Sequence, residues 1–176
     1  MKHFYLNING WFDFEWLYNK AVKQAIDNSQ TKFIEIGSFY GKSSAYMAVE
    51  IFNSKKNIEL TCIDTFPIPN QEKLLIDNLS PFSFVNIIKM SGIEYLKTLK
   101  DNSISFIMLD GDHCRNNVFN ELSVGYDKLI SGGIIATHDY LHPNPEIGDV
   151  ANGIHDFGIE KNIEYHVYKS IAYIVK

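Results

Sequence analysis

The stretch from Lys32 to Ser44, TKFIEIGSFYGKSS when read from Thr31, compresses a strand, a glycine turn and a helix start into little more than a dozen residues. Phe33, Ile34 and Ile36 form a short apolar run that reads as a buried parallel strand. Glu35 interrupts the run just before Gly37. Gly41 follows four residues later, and Lys42, Ser43 and Ser44 offer polar side chains where a helix begins, with Ser43 or Ser44 as its cap. Glycines permit positive φ and a close backbone approach. Such a turn at the end of a first strand sets backbone N–H groups and a helix N-terminus against a nucleotide-like ligand. A dinucleotide fingerprint needs a second glycine two positions after Gly37, and Phe39 stands there, which argues against a pyrophosphate cradle and an NAD-linked enzyme.

The 176 residues suffice for one domain with a substantial core, and a single domain is expected. The formal net charge of -5 leaves no basic footprint for nucleic acid, and Arg115 is the only arginine. No apolar run approaches the length of a membrane span, and MKHFYLNINGW lacks a signal-peptide core, so a cytoplasmic protein is expected. Cys62 and Cys114 have no C-x-x-C spacing and suggest neither a disulfide framework nor a zinc site. A homodimer is the default oligomer for such a chain.

Phe14 to Asp27 carries Phe14, Leu17, Ala21, Val22, Ala25 and Ile26 at helical spacing, an amphipathic lead-in helix ended by Asn28-Ser29. Trp11, Phe12, Trp16 and Tyr18 read as core aromatics, with a small-molecule pocket wall as the alternative. After the glycine turn, Ser43 to Phe52 reads as a helix and Glu59 to Ile63 as a second strand ending in Asp64-Thr65. An acidic residue there is placed to accept hydrogen bonds from the two hydroxyls of a ribose. A helix from Glu72 to Leu79, a strand from Val85 to Lys89 and a helix from Ile93 to Leu99 follow, with Ser91-Gly92 between the last two.

A second informative stretch is ISFIMLDGDHCR, Ile104 to Arg115. A buried strand, Phe106 to Leu109, opens into Asp110, Asp112 and His113, at the end where open parallel sheets bind ligands. Asn116 to Leu129 reads as a helix. Ser131-Gly132-Gly133 turns into a strand, Gly133 to Thr137, which ends in His138-Asp139-Tyr140 and brings His138 and Asp139 towards Asp110. Pro143 and Pro145 mark a loop, Val150 to Phe157 a helix, and Glu164 to Tyr168 with Ile171 to Val175 a closing hairpin.

Together, E-I-G-x-x-x-G-x-S at Glu35 to Ser43, L-D-G-D-H at Leu109 to His113 and G-G-x-x-x-x-H-D-Y at Gly132 to Tyr140 resemble a small class I S-adenosylmethionine (SAM)-dependent methyltransferase. The likeness is to the branch that methylates sugars and other small molecules on oxygen. It spans Lys32 to Lys176, which it implies is the methyltransferase domain, behind an N-terminal segment of residues 1–31. The fold it implies is α/β, a Rossmann-like doubly wound sheet of seven strands in the order 3-2-1-4-5-7-6, the last strand antiparallel, with helices on both faces. SAM binding is implied for Glu35, Gly37, Ser38, Phe39, Gly41, Ser43, Asp64, Thr65 and Asp110, with Ser91 and Gly92 near the adenine. Some relatives hold Mg2+ or another divalent cation at positions matching Asp110 and Asp139, where His138 adds a nitrogen donor, and use a base at the position of Asp112 or His113. The expected reaction moves a methyl group to a small-molecule acceptor, on a hydroxyl oxygen in preference to nitrogen. The other expectation is a SAM-binding module without turnover.

Overall fold

The computed structural model describes residues 1–25, 31–141 and 149–176. A 3-10 turn (Tyr5–Asn7) leads into α1 (Glu15–Gln24). There follow β1 (Thr31–Ile36), α2 (Lys42–Ser54), β2 (Ile58–Asp64), α3 (Gln71–Leu79), β3 (Val85–Lys89), α4 (Gly92–Thr98), β4 (Ile104–Leu109), α5 (Arg115–Lys128), β5 (Leu129–Thr137), α6 (Val150–Lys161), β6 (His166–Tyr168) and β7 (Ile171–Val175). The strands form one sheet in the order β3-β2-β1-β4-β5-β7-β6. β1 to β5 run parallel to their neighbours, β7 pairs antiparallel with β5, and β6 antiparallel with β7. The sheet order and the antiparallel last strand are those the motifs implied.

Successive residues of a strand face opposite sides of a sheet, so a strand covered on both sides must be apolar throughout. Phe33, Leu60, Phe106 and Ile134 point to the side covered by α1, α2 and α3; Ile34, Ile63, Ile107 and Ile135 point to the side covered by α4, α5 and α6. The N-terminal segment shares the first of these cores through Ile8, Phe14, Leu17 and Tyr18. Among the described residues, no helix is long and apolar enough to cross a membrane.

Three local expectations change. α2 is not capped by Ser43 or Ser44: Gly41 stands at its N-cap with φ 87°, and both serine hydroxyls turn inward to Glu35. The Ser131-Gly132-Gly133 turn lies inside β5, because the strand already begins at Leu129 beside Ile104 and slips register before Ile134 pairs with Phe106. The first strand of the closing hairpin is shorter, starting at His166 rather than Glu164. Asn28-Ser29, Pro143 and Pro145 lie outside the described residues.

The parallel strand ends carry the tightest contact. Asp110 N–H donates to the Ile36 carbonyl at 2.8 Å, and Gly37 N–H to the Ile63 carbonyl at 2.8 Å. A Cβ on Gly37 would lie 2.1 Å from the Asp110 carbonyl oxygen, and Gly37 has φ 88°, so both space and backbone require glycine. Gly132 has φ 78° with nothing near its missing Cβ. Gly37→Ala is therefore expected to cost more than about 3 kcal/mol in urea unfolding, and Gly132→Ala only about 1 kcal/mol, the left-handed backbone penalty alone.

Candidate active site

The site lies at the carboxyl ends of β1, β2, β3, β4 and β5. Beneath it, Glu35 is almost fully buried on the α1/α2 side of β1. Its Oε1 accepts from Tyr18 at 2.8 Å and from Ser43, and its Oε2 from Ser44, with the Cys62 thiol 3.9 Å away. Burial pushes the Glu35 carboxyl up, and the three hydroxyl donors work against that rise. Glu35 thus holds the turn from below, with its carboxylate satisfied by the protein. Ser43 shares that task, and Gly41 faces α3, where a Cβ would meet Leu75 at 2.6 Å.

The turn above is held by Asp64. Its Oδ2 accepts from Phe39 N–H at 2.9 Å and its Oδ1 from Phe66 N–H at 2.8 Å; Phe39 and Phe66 both have positive φ, 49° and 52°. A non-glycine residue in that region needs a fixed partner to stay there. Asp64 supplies it, and still borders a cavity of about 630 Å³. That cavity runs from Gly37 past Ile63, Asp64 and Thr65 to Ser91, Gly92 and Ile93, and its other wall carries Asp110, Asp112, His113 and Glu121. Ser91 also caps α4, accepting from Glu94 N–H.

A second cavity, of about 810 Å³, opens on the other side of Asp110 and His113. Trp11, Phe12, Ser38, Phe39, His138 and Asp139 are among the residues around it. Trp11 is 82% exposed, so the aromatic set divides: Tyr18 is core, while Trp11 lies on the surface as cavity wall.

Where β4 and β5 end, the structure gives the two histidines different partners. His138 is buried, with Nδ1 3.0 Å from Asp110 Oδ1 and Nε2 3.1 Å from Asp13 Oδ1, so both ring nitrogens are engaged within the protein. Ser170 Oγ donates to the same Asp13 carboxylate. Burial alone would lower the His138 pKa, but the carboxylates of Asp110, Asp139 and Asp13 raise it to about 9. His113, not His138, completes the metal-like cluster: one ligand atom each from Asp110, His113 and Asp139 lie within 4.8 Å of one another. His113 Nε2 is 3.5 Å from Asp110 and 3.7 Å from Asp139, and makes no good hydrogen bond. Contact with Asp110, followed by the charges of Asp110 and Asp139, raises its pKa. Burial works to raise the Asp110 carboxyl, yet the two histidines outweigh it and hold the group below the ordinary carboxylate range. Asp112 is engaged otherwise, accepting from Cys114 N–H and the Asn117 amide at the start of α5.

Asp13, Ser170 and Glu121 were not singled out from the sequence. Nothing local marks Asp13 or Ser170, which reach the site from opposite ends of the chain. Glu121 had a signal: with Val118, Leu122 and Gly125 it lies on the buried stripe of α5, an acid at an apolar position. Burial, with the nearby charge of Asp112 adding to it and His113 opposing, pushes its carboxyl up to about 7. The folded chain therefore binds this proton more tightly than the unfolded one, so the stability it contributes is full below the unfolded pKa of about 4.3 and is lost as pH rises through about 7. Glu121→Gln, which removes the titration, is expected to gain roughly 2–3 kcal/mol relative to the parent between about pH 5 and about pH 8 in urea unfolding.

Residues 34–140 match a family described as a methyltransferase domain. Over 131 residues the chain is 29% identical to an uncharacterized protein of Acanthamoeba polyphaga mimivirus, a match that takes in 68% of this chain and 56% of that protein. The chain thus spans little more than half the length of this relative. Among solved structures, a Corynebacterium glutamicum protein superimposes with a TM-score of 0.71 at 16% identity, over 97% of this chain and 84% of the other. The O-methyltransferase NovP gives 0.71 at 14% identity, over 92% and 78%. MycE, a methyltransferase of the mycinamycin pathway in complex with Mg and S-adenosylhomocysteine (SAH), gives 0.62 at 16% identity, over 94% and 50%. At such identities the likeness bears on the fold. The sheet order, the glycine turn and the match over residues 34–140 together make this chain a member of the methyltransferase domain family.

Proposed function

We propose that this chain is a SAM-dependent methyltransferase acting on a hydroxyl oxygen of a small-molecule acceptor. One observation carries the reading: the cavity beside the glycine turn and the aromatic-walled cavity meet at Asp110 and His113, so a donor in one and an acceptor in the other share an edge. The first cavity, at about 630 Å³, is of ordinary size for a cofactor. Gly37, Phe39, Asp64, Thr65, Ser91 and Gly92 would line the donor, with Asp64 at the ribose. Glu35, Gly41 and Ser43 would shape its floor from below. NovP, named as an O-methyltransferase, supports oxygen as the target. A net charge of -5 with a single arginine supports a small acceptor over nucleic acid.

The donor's sulfonium supplies an already activated methyl group. What remains for the chain is to align the acceptor and take its proton. His113 lines both cavities, and its buried Nε2 has no good hydrogen bond, which makes it the candidate base. As the acceptor oxygen attacks, the C–O bond forms, the C–S bond breaks and the hydroxyl proton passes to His113. Asp110 and Asp139 flank the imidazole and stabilise the imidazolium that results. Asp112 positions His113 by fixing the loop into α5.

The same three side chains also fit a divalent cation. Two carboxylates and an imidazole are a mixed donor set that suits Mn2+ or Zn2+ better than the all-oxygen preference of Mg2+. A cation held there would lower the pKa of a bound hydroxyl. MycE, solved with Mg and SAH, supports a role for a metal. Calorimetry with SAH and NAD tests the donor: SAH is expected to bind and NAD not, and the absence of SAH binding would sink the methyltransferase reading. With an acceptor in hand, His113→Ala is expected to lower kcat by about 100-fold or more while leaving the SAH Kd within about 3-fold. Chelation followed by Mn2+ or Mg2+ readdition separates the two uses of the cluster. Full activity after chelation would remove the metal and leave His113 as base.

A further inference from the structure

Ser170 and Asp13 make contacts to which the proposed reaction gives no task. Both lie outside residues 34–140, the part of the chain that matches the methyltransferase family. Ser170 immediately precedes β7, in the turn after β6, and reaches the end of β5 in two ways. Its carbonyl accepts from Tyr140 N–H at 2.9 Å, which fixes the peptide directly after Asp139, a residue held at φ 59°. Its hydroxyl lies 2.8 and 3.0 Å from the two oxygens of Asp13. Asp13 stands 3.1 Å from His138 Nε2, and the adjacent Phe14 ring packs on the imidazole with centroids 4.8 Å apart. On the far side of that ring, Nδ1 is 3.0 Å from Asp110 Oδ1 and 3.5 Å from Asp139 Oδ1. An ionised carboxylate only accepts, so both His138 nitrogens carry protons.

A non-glycine residue at positive φ persists only where its surroundings fix it, and for Asp139 the Ser170 carbonyl does so. For Asp110 the fixed partner is His138, which Asp13 and Phe14 hold in turn. The two carboxylates that flank His113, at 3.5 and 3.7 Å, are therefore both tied to the β6–β7 turn, one through the Ser170 backbone and one through its hydroxyl. We propose that Ser170 and Asp13 are positioning residues of the methyl transfer: acting through His138 and the Tyr140 peptide, they set Asp110 and Asp139 where both meet His113. The inference rests on the methyltransferase reading given above. Both residues also border the second cavity, so the rival role is direct contact with the acceptor. The two roles differ in what a substitution changes, since lost alignment lowers kcat and lost acceptor contact raises KM.

Asp13→Ala, Ser170→Ala and Ser170→Thr are compared with the parent in two measurements on the full chain. Proton NMR of the 15N-labelled protein needs no acceptor. Both His138 N–H protons are expected to be protected from exchange in the parent, and the Nε2 proton to lose that protection in Asp13→Ala. In turnover, Ser170→Ala is expected to lower kcat about 10-fold and Asp13→Ala about 100-fold, with KM and the SAH Kd each within about 3-fold of the parent. Ser170→Thr, which keeps the hydroxyl, is expected to retain most of kcat. If Asp13→Ala does not fold, Ser170→Ala carries the test, because it deletes only one hydroxyl. An Nε2 proton still protected in Asp13→Ala overturns the assignment, as does an unchanged kcat in both alanine variants. A rise in KM at constant kcat overturns it in favour of acceptor contact, and equal losses in Ser170→Ala and Ser170→Thr overturn the role of the hydroxyl. A parent that does not bind SAH overturns the methyltransferase reading itself, whatever the NMR shows of His138.

Discussion

A buried carboxylate beneath the glycine turn is the constraint from which the rest of the site follows. Glu35 interrupts an otherwise apolar strand and faces a core where an ionised group without partners would be very costly. It is tolerated because Tyr18 from α1 and Ser43 and Ser44 from α2 all donate to it. The same three bonds dock α1 and the first turn of α2 onto the end of β1. The backbone between Ile36 and Lys42 is therefore pinned at both ends, which allows Phe39 to sit at positive φ with its N–H on Asp64.

Strand ends that approach this closely leave no room for a side chain at Gly37. That contact sets β1 and β4 so that Asp110 stands between the two cavities. Asp110 in turn draws in both histidines, and His138 extends the chain of contacts to Asp13 and Ser170. The N-terminal segment is thus part of the site: Trp11 and Phe12 wall the second cavity two residues or fewer before the Asp13 that holds His138. A buried imidazolium between carboxylates keeps the charge at this junction balanced without exposing it to water.

Much of the fold was legible from periodicity. Five apolar runs, each followed by a turn and a helical pattern, specify a parallel sheet covered on both faces, and the three motifs indicated its order. The site was legible where chemistry sits at a strand end: Asp64, Asp110, His113 and Asp139 lie where the order of strands puts them. It failed where side-chain direction decides. Ser43 and Ser44 looked like helix caps, but a buried acid nearby outcompetes the backbone for their hydroxyls. His138 looked available as a ligand, and Asp13, 125 residues away in sequence, takes its second nitrogen. Glu121 was visible as an acid on an apolar stripe.

Sequence alone determined the strands, the glycine turn and the acidic residues at the strand ends, because each follows from local alternation, turn chemistry and spacing; the sheet order was implied only by the family resemblance that the motifs carry. The tertiary structure decided which histidine completes the Asp110–Asp139 cluster, which hydroxyls serve Glu35 and that Trp11 faces outward. Those outcomes depend on the direction of single side chains and on partners far apart in the chain, which no local pattern encodes.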